Sequence, residues 1–224
     1  MNEWISVTGI VLSAMPIGEY DRRLLLLTAE LGKISAFVRG GRKTSSPLLG
    51  AGRLFAFGRY DPYAGRNSYT VRSAEIKEYF DFLGTDPEAM CYASYFAELA
   101  DYYGQEGAED PELLKLLYYA VRSLKNPKLQ RNVIRYAYEL KIMQTEGEAF
   151  EEPRSEVGES AARAWQYVME NDADRCFLFR LEPDGFRDFS RAVAGVRAEM
   201  IDRHFKSLSV LEDFLSLLPP ESRP

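Results

Sequence analysis

The sequence is short of the residues that hold small proteins together covalently or through metals: its 224 positions include two cysteines and one histidine. Cys91 and Cys176 lie far apart and in no CxxC spacing, so neither a disulfide framework nor a cysteine zinc site is expected. Long apolar runs are also missing. The longest purely aliphatic stretch is Leu24 to Leu27, far below the ~18–20 residues of a membrane span. Met1-Asn2-Glu3-Trp4 is not a basic segment leading into an apolar block, and does not read as a secretory signal. These absences lead to the expectation of a soluble, cytoplasmic chain with no membrane partner. What is present, 46% hydrophobic and 28% charged residues, suffices for a core and excludes a disordered, collagen-like or coiled-coil chain.

Catalytic constellations are scarce too. His204 sits in a helical pattern beside Arg203 and Lys206, with no nucleophile in its own segment, and reads as a structural or surface histidine. There is no GxSxG, no HExxH, and no GxGxxG after a strand. Gly40-Gly41-Arg42-Lys43-Thr44 ends like a phosphate loop but carries Arg42 where a glycine must let the backbone wrap a phosphate. The acidic pairs Glu109-Asp110 and Glu151-Glu152 fall at a helix start and in a linker, where capping and solvation explain them. The expectation is a protein that is not an enzyme and uses no cofactor.

Charge, by contrast, is unevenly placed. The net of −6 taken alone argues against a polyanionic partner. Residues 1–80, however, carry eleven Lys and Arg against seven acids, a net of +4, which leaves −10 for the remainder. No acid occurs between Glu30 and Asp61, a window that holds Lys33, Arg39, Arg42, Lys43, Arg53 and Arg59. A polyanion is the natural partner of such a window. A solvated basic face that balances the acidic half is the alternative.

The period of the hydrophobic pattern changes along the chain. Five strands are predicted in the first eighty residues: Ile5 to Leu12 with a bulge at Gly9, Leu24 to Thr28, Lys33 to Arg39, Leu54 to Tyr60, and Tyr69 to Ile76. Pro16 to Asp21 reads as a turn, Ala29 to Gly32 as a hairpin connection, and Gly40 to Pro47 as a loop. Five antiparallel strands in this length suit a closed barrel of the OB type, with an SH3-like barrel as the competing architecture. After Phe80 the period becomes helical. Asp86-Pro87 and Asp110-Pro111 are cap-and-proline starts, a third helix begins near Lys128, and Glu146 to Gly158 is an acidic linker. Ala161 to Glu170 and Arg175 to Leu181 read as short helices, followed by a long one from about Asp184 that is broken near Ser207. The fold class is therefore α+β: an OB-type barrel over 1–80 and an all-helical domain over 81–224.

Barrels of this size bind single strands with a basic groove for phosphates and aromatic rings for bases. Phe37, Phe55, Phe57, Tyr60, Tyr63 and Tyr69 interleave with the basic residues. Strand alternation assigns Phe55 and Phe57 to the core and leaves the three tyrosines, Tyr60 and Tyr63 among them, as stacking candidates. The phosphate candidates are Arg22, Arg23, Lys33, Arg39, Arg42, Lys43, Arg53, Arg59 and Arg66. Arg39, Arg42 and Lys43 lead this group, because a glycine loop can bring backbone N–H groups and side-chain charge together.

Several motifs stand in a recognisable order: Gly9 to Leu12, Gly18 to Arg22, Leu27 to Ile34, Arg39 to Lys43 with Ser46, Ala74 to Ile76, Tyr95 with Glu98-Leu99, and His204 to Leu208. That order resembles the RecO recombination mediators of bacterial DNA repair. The resemblance implies an N-terminal OB domain and a helical C-terminal domain. It also implies binding of single- and double-stranded DNA, annealing of complementary strands, pairing with RecR, and help in loading RecA onto DNA coated by SSB, all without nucleotide hydrolysis. A cytoplasmic, nucleoid-associated protein is implied as well. The SSB C-terminal tail would meet the helical part near Arg203 and Lys206. Many members carry a four-cysteine zinc module after the third helix, whereas Gly147 to Ser155 has no cysteine, so no zinc is expected. Cys91 and Cys176 read as core thiols. An RNA-binding OB protein and a pure interaction scaffold are the rival readings.

Overall fold

The computed structural model describes residues 5–65, 68–148 and 150–218. The chain divides into two compact units, Met1–Asp81 with Ala100–Leu114, and Phe82–Leu99 with Lys115–Pro224. The first unit thus takes in 100–114, a segment that the change of periodicity at Phe80 assigns to the helical part.

The first unit is built on a closed barrel of β1 (Val7–Ile17), β2 (Asp21–Thr28), β3 (Gly32–Val38), β4 (Phe57–Ala64) and β5 (Tyr69–Glu78) in the order β1-β2-β3-β5-β4. Every pairing is antiparallel except the short contact of β3 with β5, Ala36 opposite Tyr69 and Phe37 opposite Thr70. This is the OB-type barrel read from the sequence. The interior is filled by alternate residues, Leu24 and Leu26 of β2 with Ile34, Ala36 and Val38 of β3, joined by Val7, Val11, Tyr60 and Val71. Each such apolar side chain removed from water contributes roughly 1.5–3 kcal/mol.

Several boundaries differ from those predicted. β1 runs on through Pro16, which faces Arg22, and Ile17, which faces Asp21, so the turn shrinks to Gly18–Tyr20. Pro16 is tolerated because that end of β1 pairs only with β2, leaving its other edge without a ladder to donate to. The bulge lies at Leu12, between Val11 and Ser13, and not at Gly9. Gly9 serves close approach instead: a Cβ there would sit 2.8 Å from the Leu27 carbonyl oxygen. β4 begins at Phe57, after a turn in which Phe55 has φ 63°, so the alternation assumed from Leu54 onward is broken. Phe55 is buried, Phe57 is half-buried and faces out, and Tyr60 faces in.

Residues 105–110 lie along the β2–β3 turn. Lys33 N–H donates to the Gln105 carbonyl at 2.8 Å, Gly107 N–H to Leu31 at 3.1 Å, and Asp110 N–H to Ala29 at 2.9 Å. Gly32 has φ +61°, and an added Cβ would stand 2.2 Å from the Gln105 oxygen and 2.4 Å from that of Ala108, so only glycine fits.

The helices are α1 (Pro87–Tyr103), α2 (Pro111–Ser123), α3 (Arg131–Thr145), α4 (Glu159–Glu170), α5 (Pro183–Met200) and α6 (Lys206–Leu217), with a 3₁₀ turn at Asp81–Gly84. Asp86 accepts the Ala89 N–H and Asp110 the Leu113 N–H, each at 3.0 Å, as the cap-and-proline reading requires. Arg175 to Leu181 is not helical. The side-chain amide of Gln130 takes both the N–H and the carbonyl of Leu181, at 2.9 and 3.0 Å, and so occupies backbone groups that a helix would need. The final helix breaks over 201–205, before Ser207, so His204 lies in the break, with Nε2 3.2 Å from Ser209 Oγ. In the second unit's core, Phe96 packs on Tyr138 with the rings tilted and their centres 4.5 Å apart, and Tyr95 meets Phe205 edge-on at 6.0 Å.

Candidate nucleic-acid interface

The β1–β2–β3 register builds rows of side chains on the outer face of the barrel. Ser13, Leu25 and Ser35 make one row, and Met15, Arg23 and Phe37 the next. Arg23 is exposed, and its Nε donates to Ser35 Oγ at 2.9 Å. Beyond these rows the chain leaves β3 into the loop that carries Arg39, Arg42 and Lys43. That loop is tied back to the β1–β2 turn. Gly40 N–H donates to Asp21 Oδ1 at 2.8 Å, Arg42 N–H to the Tyr20 carbonyl at 2.9 Å, and the Arg42 guanidinium to the Gly18 carbonyl at 3.1 Å. Lys43 Nζ rests 4.8 Å over the Tyr20 ring. Arg22, half-buried, donates to the Gly52 carbonyl further along the same connection.

Five cations therefore gather at one end of the barrel: Arg22, Arg23, Arg39, Arg42 and Lys43. Among the described residues none of the five is paired with a carboxylate. Their contacts are carbonyls, a hydroxyl and a ring, which leave the positive charge uncompensated. Two acids lie nearby. Asp21 is occupied by the Gly40 N–H, and Glu19 takes the Tyr20 hydroxyl, which raises that phenol's pKa. Strands 2 and 3 and the first loop of an OB barrel are where the architecture accepts oligonucleotides.

The remaining basic candidates are placed differently. Lys33 Nζ is half-buried against Asp101, 2.8 Å from its carboxylate and 2.6 Å from its carbonyl. Arg53 pairs with Asp81 at 2.6 Å and lies 4.9 Å over the Tyr79 ring. Arg59 is 3.9 Å from Asp61. The Ser73 and Ser6 hydroxyls, with Arg59 and Arg72, hold the Asp61 carboxyl below its usual range. Arg66 lies outside the described residues.

Among the aromatics, Tyr60 is a correction. It is 0% exposed, its hydroxyl donates to the Ala56 carbonyl at 3.0 Å, and burial drives its pKa up, so it belongs to the core and offers no face to a base. Gly58, Tyr60 and Pro62 face in, whereas Arg59, Asp61 and Tyr63 face out. Tyr63 and Tyr69 are half-buried. The sequence-predicted site residues leave out Phe37, which stands beside Arg23 across the strands, and the exposed Met15, Ile17 and Tyr20 at the hairpin end. Cross-strand register, rather than local composition, is the signal that finds them.

In the second unit Arg203 and Lys206 are exposed at the start of α6. The helix N-terminus between them is already filled by Glu98, which accepts the Ser207 N–H at 2.8 Å, the Lys206 N–H at 3.4 Å and the Ser207 hydroxyl. Burial pushes the Glu98 carboxyl up, but these donors and Arg203 outweigh it and hold its pKa down. Cys176 is buried, and desolvation pushes its thiol up to about 12, whereas Cys91 is half-buried and raised by burial and by Glu88.

Comparison with known proteins agrees with this architecture. Residues 1–80 match the family model described as recombination protein O N terminal, and residues 84–155 match recombination protein O C terminal. The chain belongs to the recombination protein O family. Relatives named DNA repair protein RecO include that of Alkaliphilus metalliredigens, 34% identical over 143 residues, covering 64% of this chain and 58% of the relative. That of Clostridium kluyveri is 31% identical over 139 residues, covering 62% and 54%. That of Desulforudis audaxviator is 37% identical over 120 residues, covering 54% and 48%. The chain thus spans about half the length of the curated relatives it matches. Gly147 to Ser155, where the resemblance places a zinc module in many members, holds no cysteine, and among the described residues no group of three or more His, Cys, Asp or Glu is placed to hold a metal ion. No described helix is long and apolar enough to cross a membrane.

Proposed function

We propose that this protein is a non-enzymatic, cytoplasmic and nucleoid-associated mediator of DNA repair and recombination that binds single- and double-stranded DNA through its barrel. The observation that carries the reading is the cluster of Arg22, Arg23, Arg39, Arg42 and Lys43 without carboxylate partners, on strands 2 and 3 and the adjoining loops. Phosphates neutralised on such a surface no longer repel those of a second strand, so complementary bases can meet and anneal. Phe37 and Tyr63 supply rings on which bases stack. Pairing with RecR, contact with the SSB C-terminal tail through Arg203 and Lys206, and loading of RecA rest on the family resemblance. For the tail, its terminal carboxylate must displace Glu98 from α6 or engage the two side chains beside it.

The test is fluorescence anisotropy of a labelled single-stranded DNA titrated at several salt concentrations. With about five phosphates contacted, log K falls against log salt with a slope near −3 to −4, from ~0.7 per phosphate. Arg39→Glu/Arg42→Glu/Lys43→Glu removes the binding. Absence of binding by the unaltered protein at low salt overturns the proposal, and tighter binding of RNA of equal sequence redirects it to an RNA substrate.

A further inference from the structure

The β1–β2 hairpin is longer than barrel closure requires. Gly9 and Ile10 pair with both β2 and β4, and Val7 and Thr8 with β4, whereas Ala14 to Ile17 pair only with β2. This arm ends in the Gly18–Tyr20 turn, where a Cβ on Gly18 would have nothing within 4 Å. Alternation places Met15 and Ile17 on one face of the arm. They are 55% and 38% exposed, and Tyr20 at the turn is 46% exposed. A shallow cleft of about 230 Å³ lies beside Met15, lined by Ser13, Arg23, Leu24, Leu25 and Ser35.

Single exposed apolar residues are ordinary, but three at the end of one hairpin, flanked by five cations against the two acids Glu19 and Asp21, form a patch with a purpose. The charge around it selects a polyanion, and the apolar surface within it selects the uncharged part of that polyanion, the base faces. Proteins that open a base step insert Met, Ile, Leu or Phe between bases while cations hold the flanking phosphates. We propose that the end of the β1–β2 hairpin is a wedge that unstacks the terminal base pair at a junction of single- and double-stranded DNA. Met15 and Ile17 lie against the freed base face, and the cleft beside Met15 receives the displaced base, with the Ser13 and Ser35 hydroxyls at its edge. Arg23, Arg39, Arg42 and Lys43 hold the phosphates on either side. This deepens the DNA-binding proposal and rests on it.

The test uses the full chain and a tailed duplex carrying 2-aminopurine at the junction, with a second duplex carrying it deep inside as a control. The unaltered protein raises the fluorescence at the junction and not in the interior. Met15→Ser/Ile17→Ser keeps binding to within about tenfold, because the cost of unstacking offsets much of the lost contact, yet abolishes the rise. Met15→Leu/Ile17→Leu restores it. Binding of the unaltered protein with no change at the junction overturns the wedge and leaves the DNA-binding proposal intact, as does a full rise with the serine variant. Failure to bind any oligonucleotide overturns both.

Discussion

Replacing Glu139 by glutamine tests what holds the helical unit together. Glu139 is 0% exposed in α3. Its Oε1 accepts from Arg135 Nε at 3.0 Å and from the Tyr95 hydroxyl at 2.8 Å, while Oε2 lies 3.6 Å from Arg197 Nε with no hydrogen bond of its own. One carboxylate thus compensates two guanidiniums, with exposed Glu212 reaching Arg135 at 3.2 Å as partial relief. Glutamine keeps the shape but turns one acceptor into an amide that faces a guanidinium or the Tyr95 hydroxyl, donor against donor. Breaking a buried pair from one side costs ~3–5 kcal/mol, and the help from Glu212 places Glu139→Gln near the lower figure. At a urea m-value of about 2 kcal/mol per M, the unfolding midpoint falls by roughly 1.5 M. Fluorescence of Trp165, buried in the same unit, reports it in a Trp4→Phe background, since these are the only two tryptophans. A midpoint lowered by less than about 0.3 M refutes the compensation argument, because an uncompensated buried charge cannot be that cheap. The contrasting variant Tyr95→Phe/Arg135→Met/Glu139→Leu/Arg197→Met, which removes the three charges together with the hydroxyl bonded to them and leaves Glu212 in solvent, is expected to be neutral or more stable.

Gly32→Ala places a Cβ against two carbonyl oxygens at φ +61°, so it destabilises the first unit by at least ~2 kcal/mol, read as a lower urea midpoint and faster amide exchange in β2 and β3. Tyr60→Phe removes the hydroxyl bond to the Ala56 carbonyl, which still accepts the Val11 N–H at 3.2 Å, so it costs only about 0.5–1.5 kcal/mol of stability while DNA affinity stays unchanged. Phe37→Ala does the reverse, lowering DNA affinity by about 1–3 kcal/mol if a base stacks there. Glu98 has a folded pKa depressed below its unfolded value, so its contribution is present above that unfolded value and lost as pH falls through the folded one. Glu98→Ala is therefore less stable than the unaltered protein at pH 7, by about 0.5–2 kcal/mol on the scale of a helix cap, and the difference closes below the folded pKa.

The barrel was readable because β3 alternates cleanly and the leucine run of β2 still sets every second residue inward. β2 and β3 have Leu24, Leu26, Ile34, Ala36 and Val38 at every second position, and no other element offers that period a core. Where reading failed, a non-local bond had overruled the local pattern. Arg175 to Leu181 has helical spacing, but Gln130, some fifty residues away, takes both backbone groups of Leu181. Phase was lost at Phe55, where a positive φ resets which residues face in, and Tyr60 moved from surface to core as a result. A one-residue change of phase exchanges every side chain between the two faces, so a strand whose start is misplaced by three residues yields the wrong stacking candidates.

The site shows the same division between local and folded information. In sequence, the window from Glu30 to Asp61 is free of acids and its six cations look equivalent. Folding brings acids back to it: Asp101 reaches Lys33, Asp81 reaches Arg53, and Asp61 turns onto Arg59. An exposed pair of this kind is worth at most about 1 kcal/mol, so Arg53 and Arg59 could exchange their carboxylates for a phosphate at small cost. Lys33 could not do so as easily, since it would also give up the Asp101 carbonyl in a half-buried setting. Arg39, Arg42 and Lys43 gain a phosphate without losing an ion, and Arg22 and Arg23, outside the acid-free window, join them through the strand register. The uncompensated positive charge therefore concentrates at the hairpin end, beside the exposed Met15, Ile17 and Tyr20, where the wedge proposal has charge and apolar surface act on the two parts of one nucleotide.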